Sequence, residues 1–433
     1  MTAPLRVAAV QLRAHDRSEF ADRLRAVLET TRAAASGTDL LVLPEATFPG
    51  YVLGSAPIDE SSIASALDAL RAIAVNARTV IIAGAAVRSD RGARNAAIVI
   101  DADGSLAGRA DKLFLWHFDR RWFEPGNRLE PIATSIGVLG VLVCADGRLP
   151  TISRALVDRG AVALVMPTAW VTSGRNPSAL ENVQADLLAR VRAYENRVPF
   201  IAANKCGSER GMVAYCGKSQ IIDARGEVVA IAGEREPEIL RAAIALAGEP
   251  PHRTACRFPM ALAVGNDRAA RLAISIDPLP PDVEQRLELL DDAYVLSPHD
   301  EARLSAASHA IGAASVDDDL VLDPAGLVPY RRAGYRLICW ATDMKPPWSE
   351  RLARARALEL RLYFVVFERS QCRAFAVDPD GTIVAGTFDG LRIASFAFEP
   401  SKTAQTTVAP GTDISEGLER VRQILGNPGD PRS

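Results

Sequence analysis

The stretch LLVLPEATFPGY, residues 40 to 51, places an acid where its surroundings call for burial. Leu40 to Leu43 and Pro44 read as a strand bound for a core, and Glu45 follows where that strand should emerge at the edge of its sheet. An unpaired carboxylate is costly to bury. Glu45 therefore either turns out to solvent or meets buried partners that change its titration.

Outward from this stretch, short apolar runs alternate with amphipathic ones, the rhythm of an α/β chain. A strand is expected at Val7 to Gln11, a helix at Ser18 to Ala35, a second helix at Ser62 to Asn76, and strands at TVIIAGAAV (79–87) and NAAIVI (95–100). DADG at 101–104 is a turn between strands. DKLFLWHFDRRWFEPGN, 111–127, crowds aromatic and charged residues without clean period and reads as a long packed loop. GVLGVLVCADGRLP, 137–150, reads as a buried strand ending at Cys144, with Pro150 suited to a helix start. Further strands are expected at Val162 to Met166, Pro199 to Ala203 and Ser219 to Ile222, with a helix at Leu180 to Asn196. GMVAYCGKS, 211–219, imitates a phosphate-binding loop, but five residues separate its glycines where the motif needs four, and it reads as a turn.

The 433 residues suggest roughly two or three domains. A net charge of -3, from 50 basic and 53 acidic residues, leaves no broad basic field for nucleic acid or an anionic membrane, which points to small-molecule or protein partners. The amino terminus lacks a signal-like segment and no run is long enough for a bilayer, so the cytoplasm is the expected location. Six cysteines without a CxxC pair imply free thiols, and the five histidines, at 15, 117, 252, 299 and 309, have no metal-ligand spacing. No metal and no organic cofactor is expected.

GEPPHRT, 248–254, reads as a linker. Beyond it the sequence repeats itself. ARVRAYENRVPF (189–200) returns as ARARALELRLYF (353–364) with seven of twelve positions identical, and IIDARGEVVA is answered by AVDPDGTIVA. More faintly, RLAISID (271–277) answers the first strand, YVLSPH (294–299) answers LVLPE, and RRAGYRLI (331–338) answers DRGAVALV. The division expected is a catalytic domain over 1–250 and a shortened repeat over 265–433. In that repeat His299 stands against Glu45, SVDDD falls near the place of Cys144, and the lysine-bearing segment is missing, so it should be catalytically silent. It is expected to pack on the first copy as an internal pseudo-dimer, and further homo-oligomers remain open.

Glu45, Lys112 and Cys144 each close a strand-like run, and strand ends line the ligand crevice of an open α/β sheet. Singly, Cys144 reads as a small buried hydrophobe and Lys112 as a surface charge. Together they make a chemistry set: a carboxylate to take a thiol proton, a thiolate to attack a carbonyl, and an ammonium beside the Ala145 N–H to stabilise the oxyanion.

LLVLPEATFPGY, ADKLFLW with FEPG, and VLVCADGRLP resemble, in order, the three signatures of the nitrilase superfamily of carbon-nitrogen hydrolases, over about residues 5 to 235. The resemblance implies a four-layer α-β-β-α sandwich, usually paired with a second such unit. It also implies Glu45 as general base, Lys112 as oxyanion stabiliser and Cys144 as nucleophile. Cys-x-Asp at 144–146 is similar to amidases and carbamoyl-amide hydrolases, whereas nitrile-cleaving members carry Trp-Glu after the cysteine. FDRRWFEPG resembles the N-carbamoyl amino acid amidohydrolase segment that supplies a second acid, a place held here by Asp119, which alternatively pairs with Arg120 or Arg121. Arg148 falls where those enzymes hold a substrate carboxylate, and Thr151 where glutamate is common. Tyr51, Trp116, His117 and Trp170 are candidate pocket walls or ordinary packing. The expected reaction is hydrolysis of a small amide or N-carbamoyl compound through a cysteine thioester. A nitrilase or acyl transferase on the same fold, and a non-catalytic scaffold, are the alternatives.

Overall fold

Val7, Ala9, Leu40 and Val42 alternate with a second set of apolar residues on strands covered on both faces, and this sets the first sheet at the middle of a layered unit. The computed structural model describes residues 4–246, 269–277, 293–298 and 311–426, apart from 56, 57, 91, 175, 177 and 324. The linker GEPPHRT and His299 lie outside the described residues. Two units are distinguished: residues 1–251 with 409–412 and 416–433, and residues 252–408 with 413–415.

The first unit opens with β1 (Leu5–Arg13), helix α1 (Phe20–Ala35), β2 (Leu40–Val42), helix α2 (Glu60–Ala77), β3 (Val80–Ser89), β4 (Gly92–Ile100) and β5 (Leu106–Asp111). It continues through β6 (Ile132–Thr134), β7 (Gly137–Val141), helix α3 (Pro150–Asp158), β8 (Ala163–Pro167), helix α4 (Ala189–Asn196), β9 (Phe200–Ala203), β10 (Lys205–Glu209), β11 (Val213–Cys216), β12 (Gln220–Ile222), β13 (Val228–Ile231) and β14 (Glu238–Ile244). One sheet runs β11-β10-β1-β2-β3-β4-β5, with β14 also on β1, and the other runs β13-β12-β9-β8-β7-β6. Helices α1 and α2 cover the first sheet and α3 and α4 the second, while β1, β2 and β3 face β8 and β9. This is the α-β-β-α sandwich. Phe20, Val27, Ile63, Leu70 and Ile73 of the outer helices bury against Ala8, Val10, Leu41 and Ile81, one continuous core.

Local chemistry fixes the element ends. Asp59 caps α2 by accepting from Ser61 N and Ser62 N, Arg78 closes it in a left-handed turn, and Pro150 begins α3. The helix expected from Leu180 is shorter: the chain makes a π-turn at Gln184–Leu188 before α4 begins at Ala189. GMVAYCGKS turns only at its start. Val213–Cys216 pairs antiparallel with β10, because its apolar side chains alternate into the core while Gly211 takes the left-handed turn.

The second unit contains β15 (Ala270–Ser275), β16 (Ala293–Leu296), β17 (Ala313–Val316), β18 (Leu337–Thr342), β19 (Tyr363–Glu368), β20 (Arg373–Val377), β21 (Ile383–Gly386) and β22 (Ile393–Phe398). Its five-stranded sheet, β17-β18-β19-β20-β21, has two parallel pairings followed by two antiparallel ones and a register shift in the last. The strands β7-β8-β9-β12-β13 follow the same succession, register shift included. Likewise β15 takes a parallel partner and an antiparallel one, as β1 does with β2 and β14. No helix of the described residues is long and apolar enough to cross a membrane.

The end of β2 is held against β3 by Gly84 N donating to Pro44 O, Phe48 N donating to Gly84 O, and the absence of a side chain at Gly84. A Cβ there would stand 2.4 Å from Ala46 N and 2.5 Å from Glu45 Cα. Gly84→Ala should therefore destabilise the first unit by about 1–3 kcal/mol, read as a lowered midpoint of its urea transition.

Candidate active site

Glu45 is fully buried, so the reading in which it turns to solvent is set aside. Its backbone N–H donates to Thr168 O, beyond the end of β8, which ties the tip of one sheet to the tip of the other. Its side chain meets two partners from the β4–β5 hairpin. Asn95 Nδ2 donates to Oε1 at 2.6 Å and Lys112 Nζ to the same oxygen at 2.8 Å. The hairpin register brings the two donors side by side, with Lys112 N bonded to Asn95 O. Glu45 Oε2 is left buried without a hydrogen-bond partner.

Lys112 is equally buried and lies between two acids, with Nζ 2.7 Å from Asp119 Oδ2. Burial by itself would drive the ammonium toward neutrality, but Asp119 and then Glu45 outweigh it and hold the pKa well above the ordinary lysine value. Asp119 is thus no surface salt bridge. It sits in a single turn, His117–Arg121, accepts from Trp116 N at 2.8 Å, and takes a short hydrogen bond from the Tyr51 hydroxyl, while Arg120 points elsewhere, toward Glu416. Burial and Asp119 together push the Tyr51 phenol far above its usual range, so it stays a donor.

Cys144 follows β7 in the turn Cys144–Arg148, with a left-handed φ of 46° that a non-glycine residue adopts only when its surroundings impose it. The constraint comes from Asp146. Its Oδ2 accepts from Val143 N, and its Oδ1 accepts from Leu113 N and Phe114 N at 3.0 and 2.7 Å, which ties the cysteine turn to the residues after Lys112. Burial pushes the Asp146 carboxyl up to about 7, against these three N–H groups. Burial and the Glu45 charge push the Cys144 thiol up to about 12, opposed by Lys112. Acid, amine and sulfur are therefore close enough to feel one another.

Ala145 lies beside the sulfur in the same turn and is buried. The Arg148 guanidinium lies 4.1 Å from the centre of the Trp116 ring, its Nε has no partner, and no carboxylate pairs with it among the described residues. Burial lowers its pKa to about 10. His117 packs its ring edge-on against Phe118, and Trp170 is fully buried with its indole N–H unpartnered and its backbone tied to Asn204 and Cys216.

Sequence reasoning missed Asn95, Lys205, Glu209 and Tyr215. Glu209 Oε1 accepts from Tyr51 N and Val52 N at 2.7 and 2.6 Å, while its Oε2 takes the Tyr215 hydroxyl at 2.8 Å and Lys205 Nζ at 3.4 Å. Lys205 also donates to Ala46 O, next to Glu45. The signal was a lysine and a glutamate on one face of a strand, pointing into the unit. Alternation alone does not distinguish that face from the solvent face.

The carbon-nitrogen hydrolase family model matches residues 6–249. The chain is 27% identical over 245 residues to a probable nitrilase of Schizosaccharomyces pombe, covering 55% of this chain and 86% of that one. An (R)-stereoselective amidase of a Pseudomonas species is 29% identical over 238 residues, covering 54% and 82%. Among solved structures, a carbon-nitrogen hydrolase from Helicobacter pylori is similar with a TM-score of 0.49 and 28% identity, covering 56% of this chain and 89% of that one.

Two outcomes follow from the geometry. Glu209→Ala leaves Lys205 buried beside an empty place and should destabilise the first unit by about 3–5 kcal/mol, measured by urea unfolding. With its pKa raised, Cys144 should stay a thiol through neutral pH. Difference ultraviolet absorbance between the native chain and Cys144→Ala should then show no thiolate step in or below the ordinary thiol range.

Proposed function

The chain belongs to the carbon-nitrogen hydrolase family, and on that premise we propose that it hydrolyses a small amide or N-carbamoyl compound through a thioester on Cys144, releasing ammonia. One observation carries the reading: Lys112 and Asn95 occupy Oε1 of Glu45, while its Oε2, in the low-dielectric interior near Cys144, is unpartnered and free to take a proton. Glu45 removes the Sγ proton as the sulfur attacks the carbonyl carbon. The Lys112 ammonium and the Ala145 N–H receive the oxyanion. As the tetrahedral adduct collapses, the C–N bond breaks, the proton passes from Glu45 to nitrogen, and ammonia leaves. Water then gives its proton to Glu45 and adds to the thioester, and the acid departs as the thiol is restored. Asp119 keeps Lys112 charged, and Tyr51 holds Asp119.

Arg148 supports a substrate that carries a carboxylate. A desolvated guanidinium with one face on Trp116 and no acid paired with it among the described residues offers its edge to a planar anion.

The second unit is, in this proposal, a degenerate and catalytically silent copy of the first. Arg192 Nε donates to Gly147 O at 3.1 Å and pairs with buried Glu195; Arg356 Nε donates to Val321 O at 2.9 Å and pairs with buried Glu359. Matching Gly140 with Ala314 through their pairings to Leu164 and Ile338 puts Asp318 opposite Cys144. The sequence between β16 and β17 is too short to hold a counterpart of β3 to β5 and the lysine they position.

A panel of amides, ureido acids and nitriles assayed for ammonia, with intact-mass detection of an acyl adduct, tests the reading. Cys144→Ala should abolish turnover and adduct, and Glu45→Gln should cost about 100-fold or more. Arg148→Lys should raise KM for carboxylate-bearing amides by on the order of tenfold with neutral amides unaffected, and Asp318→Ala should match the native chain. Ammonia from the Cys144→Ala chain at the native rate would overturn the mechanism. Nitriles consumed in preference to amides would replace the substrate class.

A further inference from the structure

The chain's last segment returns to the first unit and meets it at the two loops that carry the site. Thr412, fully buried, accepts a hydrogen bond through Oγ1 from His117 N at 2.6 Å. His117 has a left-handed φ of 48° and opens the turn that carries Asp119, so the Thr412 hydroxyl satisfies the backbone at the strained entry to that turn. One turn into the helix Ile414–Leu425, Gly417 lies flush on the walls of both loops: a Cβ there would stand 2.6 Å from the Phe114 ring and 3.0 Å from Leu149. Phe114 is two residues beyond Lys112, and Leu149 directly follows Arg148. Arg420 donates to Gly126 O at 2.6 Å, and Gly126 N donates in turn to Lys112 O. Three contacts, each about 300 positions distant in sequence, thus fall between Lys112 and Gly126. Glu416 adds an exposed ion pair with Arg120, which contributes little.

We propose that Thr412, Gly417 and Arg420 form a positioning element for the active site. They clamp the Lys112–Gly126 loop so that Asp119 is held on Lys112 and Trp116 under Arg148. The proposal rests on the hydrolase reading for its consequence in turnover, but not for its consequence at the sulfur. With the clamp loosened, Asp119 and Lys112 lose their fixed geometry, and Cys144 loses the positive charge that favours its thiolate. A greater opening of the site would by contrast raise reagent access at every pH and leave the titration where it was.

The test uses the full chain and site-resolved alkylation by iodoacetamide, read by peptide mass spectrometry, with exposed Cys372 as the internal reference. Thr412→Val keeps the shape and removes the acceptor. It should slow Cys144 alkylation about fivefold at every pH of the neutral to mildly alkaline range. The Cys372 rate should not change, and Thr412→Ser should restore the native profile. Arg420→Met, which removes the hydrogen bond to Gly126 O without disturbing the buried hydroxyl, should act in the same direction. Amide turnover should fall in parallel through kcat. Slowed alkylation in a chain whose native form turns over no amide would support the clamp and remove only the hydrolase reading. Alkylation of both folded variants at the native rate, or faster at every pH, would overturn the clamp.

Discussion

A single buried ammonium organises this site. Lys112 has no access to water, and the cost of stripping its hydration is offset only by two carboxylates within hydrogen-bond distance. Three charges in such a cluster tolerate little misplacement, because in a low dielectric a lost partner leaves an uncompensated charge. The neighbouring structure is arranged accordingly. Asn95 shares Glu45 with the lysine, Tyr51 and the Trp116 amide fix Asp119, and Asp146 ties the exit of the lysine's strand to the cysteine turn. Behind these, Glu209 holds the backbone of Tyr51 and Val52, and Lys205 holds Ala46.

The cluster also leaves the two oxygens of the buried Glu45 carboxylate in different states. One oxygen of Glu45 is spent on structure, held by an amide and an ammonium, and the other is bare. A carboxylate with both oxygens satisfied would be inert, and one with neither would be too costly to bury. Burial and the Glu45 charge raise the pKa of the thiol beside it, against the pull of Lys112.

The two units share a succession of strand pairings, and each holds a buried arginine bonded to a backbone carbonyl. Arg192 and Arg356 are each placed by packing and a buried ion pair inside their own unit. Asp318, which the proposed correspondence sets against Cys144, accepts from the Trp340 indole.

Much of this was legible in the sequence for a physical reason. Strand ends in a layered α/β unit are marked by where a strand-like run stops, so Glu45 after LVLP, Lys112 after GRAD and Cys144 after GVLV fall at three such stops, and repeated residues marked the Arg192 and Arg356 segments. The helix expected from Leu180 and the turn read over 211–219 differed from the fold because local pattern does not register a π-turn or an edge strand that gains its partner from afar. Sequence left Asp119 divided between a salt bridge and a role in the site. The tertiary structure decided it, because only the folded loop puts that carboxylate on Lys112 rather than on the adjacent arginines. It likewise decided Asn95, Glu209 and Thr412, whose partners lie 50, 157 and 295 positions away. Periodicity along a chain reports which face a residue takes, but which distant group waits on that face is set only when the layers close.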